Sequence, residues 1–206
     1  MENFYAQWLI QEQHLLNDLL SVPQDRPDLH IPLINRALSH YAEYYKHKSQ
    51  LAKRDIFRAF SAYWLTASER SFFWLGGLNP GIFFQSLPSD LTSDQRKKLE
   101  QLSQESVKRE RELEARMRQV AEAMAVLMAL AATHGKARNG EARGETTERV
   151  AEMMRVVLDE ADRLRKHVVT RSIEILTSVQ TVRFFAALAH RHLWFYRRGI
   201  HNNGFE

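Results

Sequence analysis

All five prolines of the chain lie at or before Pro88. Because proline removes a backbone donor and clashes with the preceding turn, the first part of the chain must break and turn several times. The part after residue 88 is free to form long, uninterrupted helices. From Asn3 to Ser21, Phe4, Trp8, Leu15, Leu16, Leu19 and Leu20 mark one amphipathic helix, stopped by Pro23 and a polar turn to Pro27. A second helical period runs from Leu33 through Ala37, Tyr41, Tyr44 and Leu51 to about Arg58.

Three capping boxes then mark helix starts: Thr66 with Glu69, Thr92 with Gln95, and Thr177 with Gln180. In each, the hydroxyl and the side-chain acceptor three residues on can satisfy two exposed N–H groups reciprocally. The helix opened at Thr66 is expected to be short, ending at Gly76-Gly77, and Asn79 before Pro80 caps another turn or two. From Thr92 to about Thr133, Leu99, Leu102, Ser106, Arg109, Leu113, Met117, Val120, Met124, Leu127 and Ala131 recur every three or four residues, a packing seam interrupted by two polar members. Residues 134–147 contain three glycines and no large apolar side chain, and are expected to be a flexible loop. Val150, Met154, Val157, Ala161, Leu164, Val168 and Ile175 resume the seam. A last, aromatic helix follows from Thr177 to about Gly199, leaving a tail over 200–206. The expected fold is all-α: a single domain over 1–206, formed by one bundle of about six helices, several of them long.

Composition narrows function. A chain of 206 residues with 44% apolar and 26% charged residues can bury one sizeable core, alone or with a dimer interface. Its longest apolar stretch, Ala123 to Thr133, is far short of the roughly 20 residues that span a bilayer, and the N-terminal residues lack a signal-peptide pattern. Nucleus or cytoplasm is the expected location. With no cysteine, disulfides, thiolate metal sites and cysteine nucleophiles are excluded together. The net charge of +4 is carried by one segment: between Ile175 and Phe205 stand Arg183, Arg191, Arg197 and Arg198 and no acidic residue. Such a patch suits a phosphate or an acidic partner, or simply a helix end whose cations oppose the negative dipole. Arg191, Arg197 and Arg198, with Trp194 among them, are the candidate partner-binding residues.

Catalytic arrangements are missing. Among nine histidines no His-x-x-x-His pair occurs, nor does the Glu-x-x-His of helical di-iron sites, so no metal site is expected. His40, Glu43, Tyr44 and His47 share one helix face, a proton relay or a polar edge. His190 and His192 are two residues apart and so lie on different faces, each able at most to serve as a lone axial ligand. The run Gly76-Gly77-Leu78-Asn79-Pro80-Gly81 lacks the Gly-Lys-Ser/Thr ending of a phosphate loop and suits a tight turn. No basic helix dense enough to track DNA phosphates is present ahead of a zipper, so neither an enzyme nor a direct DNA reader is expected.

The ordered features form a recognisable set. Trp8 with Gln11 is followed by His40-Tyr41-x-x-Tyr44-Tyr45-x-x-Lys48, then by Trp64-Leu65-x-x-x-Glu69-Arg70-x-Phe72-x-Trp74-Leu75-Gly76-Gly77-x-x-Pro80. Leu91-Thr92-x-x-Gln95, Glu160-Ala161-Asp162-Arg163-Leu164-Arg165 and Ile175-Leu176-Thr177-x-x-Gln180-x-x-Arg183-Phe184 complete the series. Together they resemble the plant delay-of-germination domain over about residues 4–199. That domain occurs in seed-dormancy regulators, in a pollen-aperture factor, and as the C-terminal half of TGA basic-zipper transcription factors, where it binds a salicylate-signalling coactivator. The resemblance implies a regulator that acts through protein partners and self-associates as a homodimer. Met1 lies only a few residues before the first domain helix, which favours the dormancy branch without a zipper over a trimmed TGA factor. That branch implies type 2C protein phosphatases as partners, and haem binding through C-terminal histidines, for which His190 and His192 are the candidates here. The TGA branch implies an apolar acyl ligand as an alternative.

Overall fold

The computed structural model describes residues 1–133 and 140–203. Helix α1 spans Glu2–Ser21 and buries Tyr5, Trp8, Leu15, Leu16 and Leu19 along one stripe. Helix α2, Pro27–Arg54, begins earlier than the apolar period suggests. Pro27 occupies its first turn, where a missing N–H is harmless, and Pro32 lies inside the helix. It ends at Asp55, whose side chain accepts from the Arg58 backbone N–H (3.0 Å) and starts the short helix α3, Ile56–Ser61.

All three capping boxes form. Thr66 and Glu69 open α4, Ala67–Arg70. Thr92 and Gln95 exchange bonds of 3.0 and 3.2 Å ahead of α6, Ser93–Thr133. Thr177 and Gln180 do so at 2.9 and 3.3 Å ahead of α8, Ser178–Asn203. Between α4 and α5, Pro80–Gln85, the chain makes a feature the sequence reading lacks, a two-stranded hairpin. Strand β1, Phe73–Trp74, pairs antiparallel with β2, Gly77–Leu78, in the register Phe73↔Leu78 and Trp74↔Gly77. Leu75 (φ 44) and Gly76 (φ 71) form its loop, and positive φ at both central residues matches the twist of the strands they join. Strands of two residues are too short to show alternation, so the helix expected to end at Gly76-Gly77 stops at Arg70 instead.

Helix α7 spans Gly140–Ile175. Of the loop expected over 134–147, residues 134–139 lie outside the described residues, and the chain is helical again from Gly140, where Glu141, Ala142 and Arg143 are good helix formers. Eight helices are present among the described residues, three of them, α3, α4 and α5, short. No helix there is long and apolar enough to cross a membrane.

Helix α8 packs against α1, α2 and α4, and α6 lies antiparallel on α7. The main core joins α1, α2 and α8 through Trp8, Leu16, Ala37, Phe184, Phe185 and Leu188, with Leu99, Leu113, Leu164 and Val168 from the α6–α7 pair. A second cluster, Ala52, Ile56, Ala59, Val120, Val150, Met154, Val157 and Leu158, fills the space where the end of α2 and α3 meet α6 and α7. The seam expected from spacing is buried at Leu99, Leu102, Ser106, Leu113 and Val120, while Arg109 faces solvent. The side chains of Leu127 and Ala131 lie outside the described residues.

Candidate functional site

Helix α8 has two unlike faces. One buries Phe184, Phe185, Leu188, Ala189, Leu193 and Phe195. The other carries His190, Arg191, Trp194, Arg197, Arg198 and His201, spaced three and four apart and therefore aligned as one stripe. Trp194 is 45% exposed at its centre, and the Arg198 guanidinium lies 5.2 Å above the indole ring. Arg191 reaches the side chain and backbone carbonyl of Gln85 at 3.4 and 3.3 Å, and Arg197 donates to the Gln13 side chain. Arg183, further back, is neutralised by Asp90 at 2.7 Å. Arg191, Arg197 and Arg198 have no carboxylate partner among the described residues: Arg191 and Arg197 meet neutral amides, and Arg198 meets the Trp194 ring.

Behind this stripe lies a buried polar network. Glu12 is fully buried on α1, its Oε2 2.5 Å from His40 Nε2 on α2, and its Oε1 accepts from the Tyr41 hydroxyl at 2.8 Å. Glu69, also buried, accepts from the Thr66 backbone N–H (2.8 Å) and hydroxyl (2.7 Å) through one oxygen and from the Tyr5 hydroxyl through the other. His192 sits between the two carboxylates. Its Nε2 is 3.1 Å from the Tyr5 hydroxyl, and its Nδ1, which has no hydrogen-bond partner among the described residues, is 3.6 Å from Glu12. Burial alone would push the Glu12 carboxyl up, but His192 and His40 outweigh it and hold the group down at about 2. Burial and the neighbouring Glu69 push the Tyr5 hydroxyl well above its ordinary value, so it remains a donor. The network joins α1, α2, α4 and α8, and so fixes the rotation of α8 that turns Trp194 outward.

A second buried ionic group holds the hairpin. Lys48 Nζ donates to the Gly76 carbonyl (2.8 Å) and Asp162 (2.6 Å). The Arg165 guanidinium donates to the carbonyls of Leu78 (2.7 Å), Leu75 (3.1 Å) and Trp74, and to Asp162 (2.7 Å). Two cations thus share one carboxylate, and peptide carbonyls supply the remaining negative character. Burial pushes the Lys48 ammonium down, Asp162 draws it up and Arg165 lowers it again, leaving it at about 8. A side chain on Gly77 would place its first carbon 2.7 Å from the Arg165 guanidinium, which is why the strand there must be glycine. The glycine run therefore offers its carbonyls to cations; it does not cradle an anion with its N–H groups.

The structure brings Arg191, Trp194, Arg197 and Arg198 together as one surface and separates the two histidines. His190 is exposed, whereas His192 is 4% exposed and hemmed in by Tyr5, Trp8, Glu12 and Glu69. Both ring nitrogens of His192 are enclosed, Nε2 by Tyr5 and Glu69 and Nδ1 by Glu12, so neither is open to a haem iron, and the pair does not fit a haem held between them. The face His40, Glu43, Tyr44 and His47 is also divided. His40 joins the network, Tyr44 is buried, Glu43 is exposed, and His47 stacks on Phe4 with centroids 3.7 Å apart. Sequence reasoning missed Glu12, whose only signal is a carboxylate inside an apolar helical stripe. It also missed the ionic roles of Lys48, Asp162 and Arg165.

These features define an all-α domain stabilised by two buried ionic groups, with a basic, aromatic face left open on its last helix. Residues 11–89 match the family described as seed dormancy control, DOG1. The chain is 29% identical to Protein ZW2 of Arabidopsis thaliana over 207 residues, covering 93% of this chain and 92% of that protein. It is 30% identical over 188 residues to transcription factor TGA2.3 of Oryza sativa subsp. japonica, and 25% over 195 residues to the TGACG-sequence-specific DNA-binding protein TGA-2.1 of Nicotiana tabacum. The chain spans 57% and 42% of those two factors. The chain is thus similar to that family over residues 11–89, and to transcription factors of the TGA type over most of its own length.

Proposed function

We propose that this chain is a plant, transcription-associated regulatory domain that works by capturing a partner protein on the exposed stripe of α8. The observation that carries this reading is that Arg191, Arg197 and Arg198 surround a half-exposed Trp194 with no carboxylate among the described residues to neutralise them. Tryptophan and arginine are the side chains that most often dominate binding energy at protein interfaces. A stripe made from them, on a helix held rigid from behind, suits an acidic partner surface with an apolar side chain at its centre. The similarity to TGA transcription factors supports a nuclear setting and a transcriptional coactivator as partner, whereas the resemblance to dormancy regulators favours a type 2C protein phosphatase and a homodimer as the working form.

The test is capture of such partners by wild-type protein and by the double variant Arg197→Glu/Arg198→Glu. Capture falls at least about tenfold, while helix content and melting temperature stay within error of wild type. Trp194→Ala gives a comparable loss. Undiminished capture by both variants overturns the assignment of this surface, and sedimentation of the same proteins reports the oligomeric state separately.

A further inference from the structure

The α6–α7 pair has a cleft where its seam turns polar. A cavity of about 530 Å³ is lined by Arg109, Glu112, Leu113 and Arg116 of α6 and by Glu160, Arg163, Leu164 and His167 of α7. Leu113 and Leu164, 4% and 5% exposed, form its floor. Charge is not evenly matched along it. At one end Arg116 pairs with Glu160 at 2.5 Å, which sets the antiparallel register. One heptad further along each helix, that register brings Arg109 opposite His167, where a complementary pair would have placed a carboxylate. Neither has an ion pair or hydrogen bond among the described residues. Arg163, beside them, is held by Asp159 of its own helix, and Glu112 has no ion-pair partner there.

We propose that this end of the cleft is a binding site for a phosphoryl group, carried on a small organic ester or as free phosphate. A guanidinium facing an imidazole, with a second guanidinium alongside, offers fork-shaped donors and a further ring N–H to a tetrahedral dianion. The cavity exceeds the volume of one phosphate, and the leucine floor leaves room for the apolar part of an ester. Glu112 opposes the anion and sets the affinity low. The site is remote in sequence from the α8 stripe and stands independently of the partner-capture reading.

Phenyl phosphate and inorganic phosphate are titrated into the full chain at low salt, followed by amide NMR shifts. Phenyl phosphate shifts amides within 109–116 and 160–167. Arg109→Glu weakens it about tenfold, and Glu112→Gln tightens it, an increase that a merely structural role would not give. Both substitutions are on the surface, and melting temperature checks that each variant is folded; His167→Glu serves in place of Arg109→Glu should that variant fail to fold. Tighter binding of phenyl phosphate than of inorganic phosphate identifies an ester site, and equal binding identifies a free-phosphate site. Absence of shifts from both probes at about 10 mM, or equal affinity in wild type and Arg109→Glu, overturns the proposal.

Discussion

Gly199 stands where a helix-ending glycine is expected, yet α8 continues past it to Asn203. Its reason is contact, not termination. A β-carbon on Gly199 would lie 2.1 Å from the Thr66 hydroxyl, so the backbone of α8 rests directly on the cap of α4. Gly199→Ala must push the two helices apart or rotate the Thr66 hydroxyl out of its bond with Glu69. It is expected to cost about 1–3 kcal/mol, measured as a shift in the urea midpoint. Glu12 is the other decisive residue. Its carboxyl titrates at about 2 in the fold against 4.5 ordinarily, so the stability it contributes is fully present above 4.5 and is lost as pH falls toward 2. Urea unfolding at successive pH values between 6 and 2 tests this directly. Glu12→Gln lowers stability at pH 6 by about 3 kcal/mol, because the amide oxygen can serve only one of His40 and Tyr41, sets an NH2 against the other and removes the buried charge, and it flattens the acid slope.

At the scale of elements, the clearest signals were chemical. The three capping boxes were legible because a cap is a local, two-residue pattern, and each is formed. The hairpin was not legible, because its stability comes from Lys48 and Arg165, which lie outside it in sequence and join it only after α2 and α7 have packed. For the same reason the alignment of Arg191, Trp194, Arg197 and Arg198 could be seen in helical spacing, whereas the burial of His192 between Glu12 and Glu69 could not. The hairpin clamp makes a pH prediction of the same sense as that of Glu12, stability rising with pH, but in an alkaline window. The Lys48 ammonium titrates at about 8 in the fold against 10.5 ordinarily, so between these values the unfolded chain holds the proton more tightly. The cost of burying it is full below 8 and fades as pH rises to 10.5. The stability of wild type minus that of Lys48→Met therefore increases across that window, and thermal melts of both proteins at pH 7.5, 9 and 10.5 check it.

Two clusters divide the molecule as a whole. The larger joins helices from both ends of the chain, whereas the smaller seals the end of α2 and α3 against α6 and α7 with fewer large side chains. Fewer buried contacts mean a lower free energy of local opening. Amide hydrogen exchange is expected to open Ile56–Ser61 and the stretch from Val150 to Leu158 before the core of α8 from Phe184 to Leu193. Equal protection in the two regions would show a single cooperative unit. The sequence pattern revealed the helices of both clusters, but not the division, which depends on which helices meet at the end of α2.

The bond between Tyr5 and His192 joins residues 187 positions apart, and α1 buries much of its apolar stripe on α8. During synthesis, Trp8, Leu15 and Leu16 must therefore wait for nearly two hundred further residues before their docking surface leaves the ribosome. At about 5–20 residues per second that delay is on the order of ten seconds or more. Through that interval the nascent first helix is sticky and unshielded, a client for chaperones until the last helix arrives.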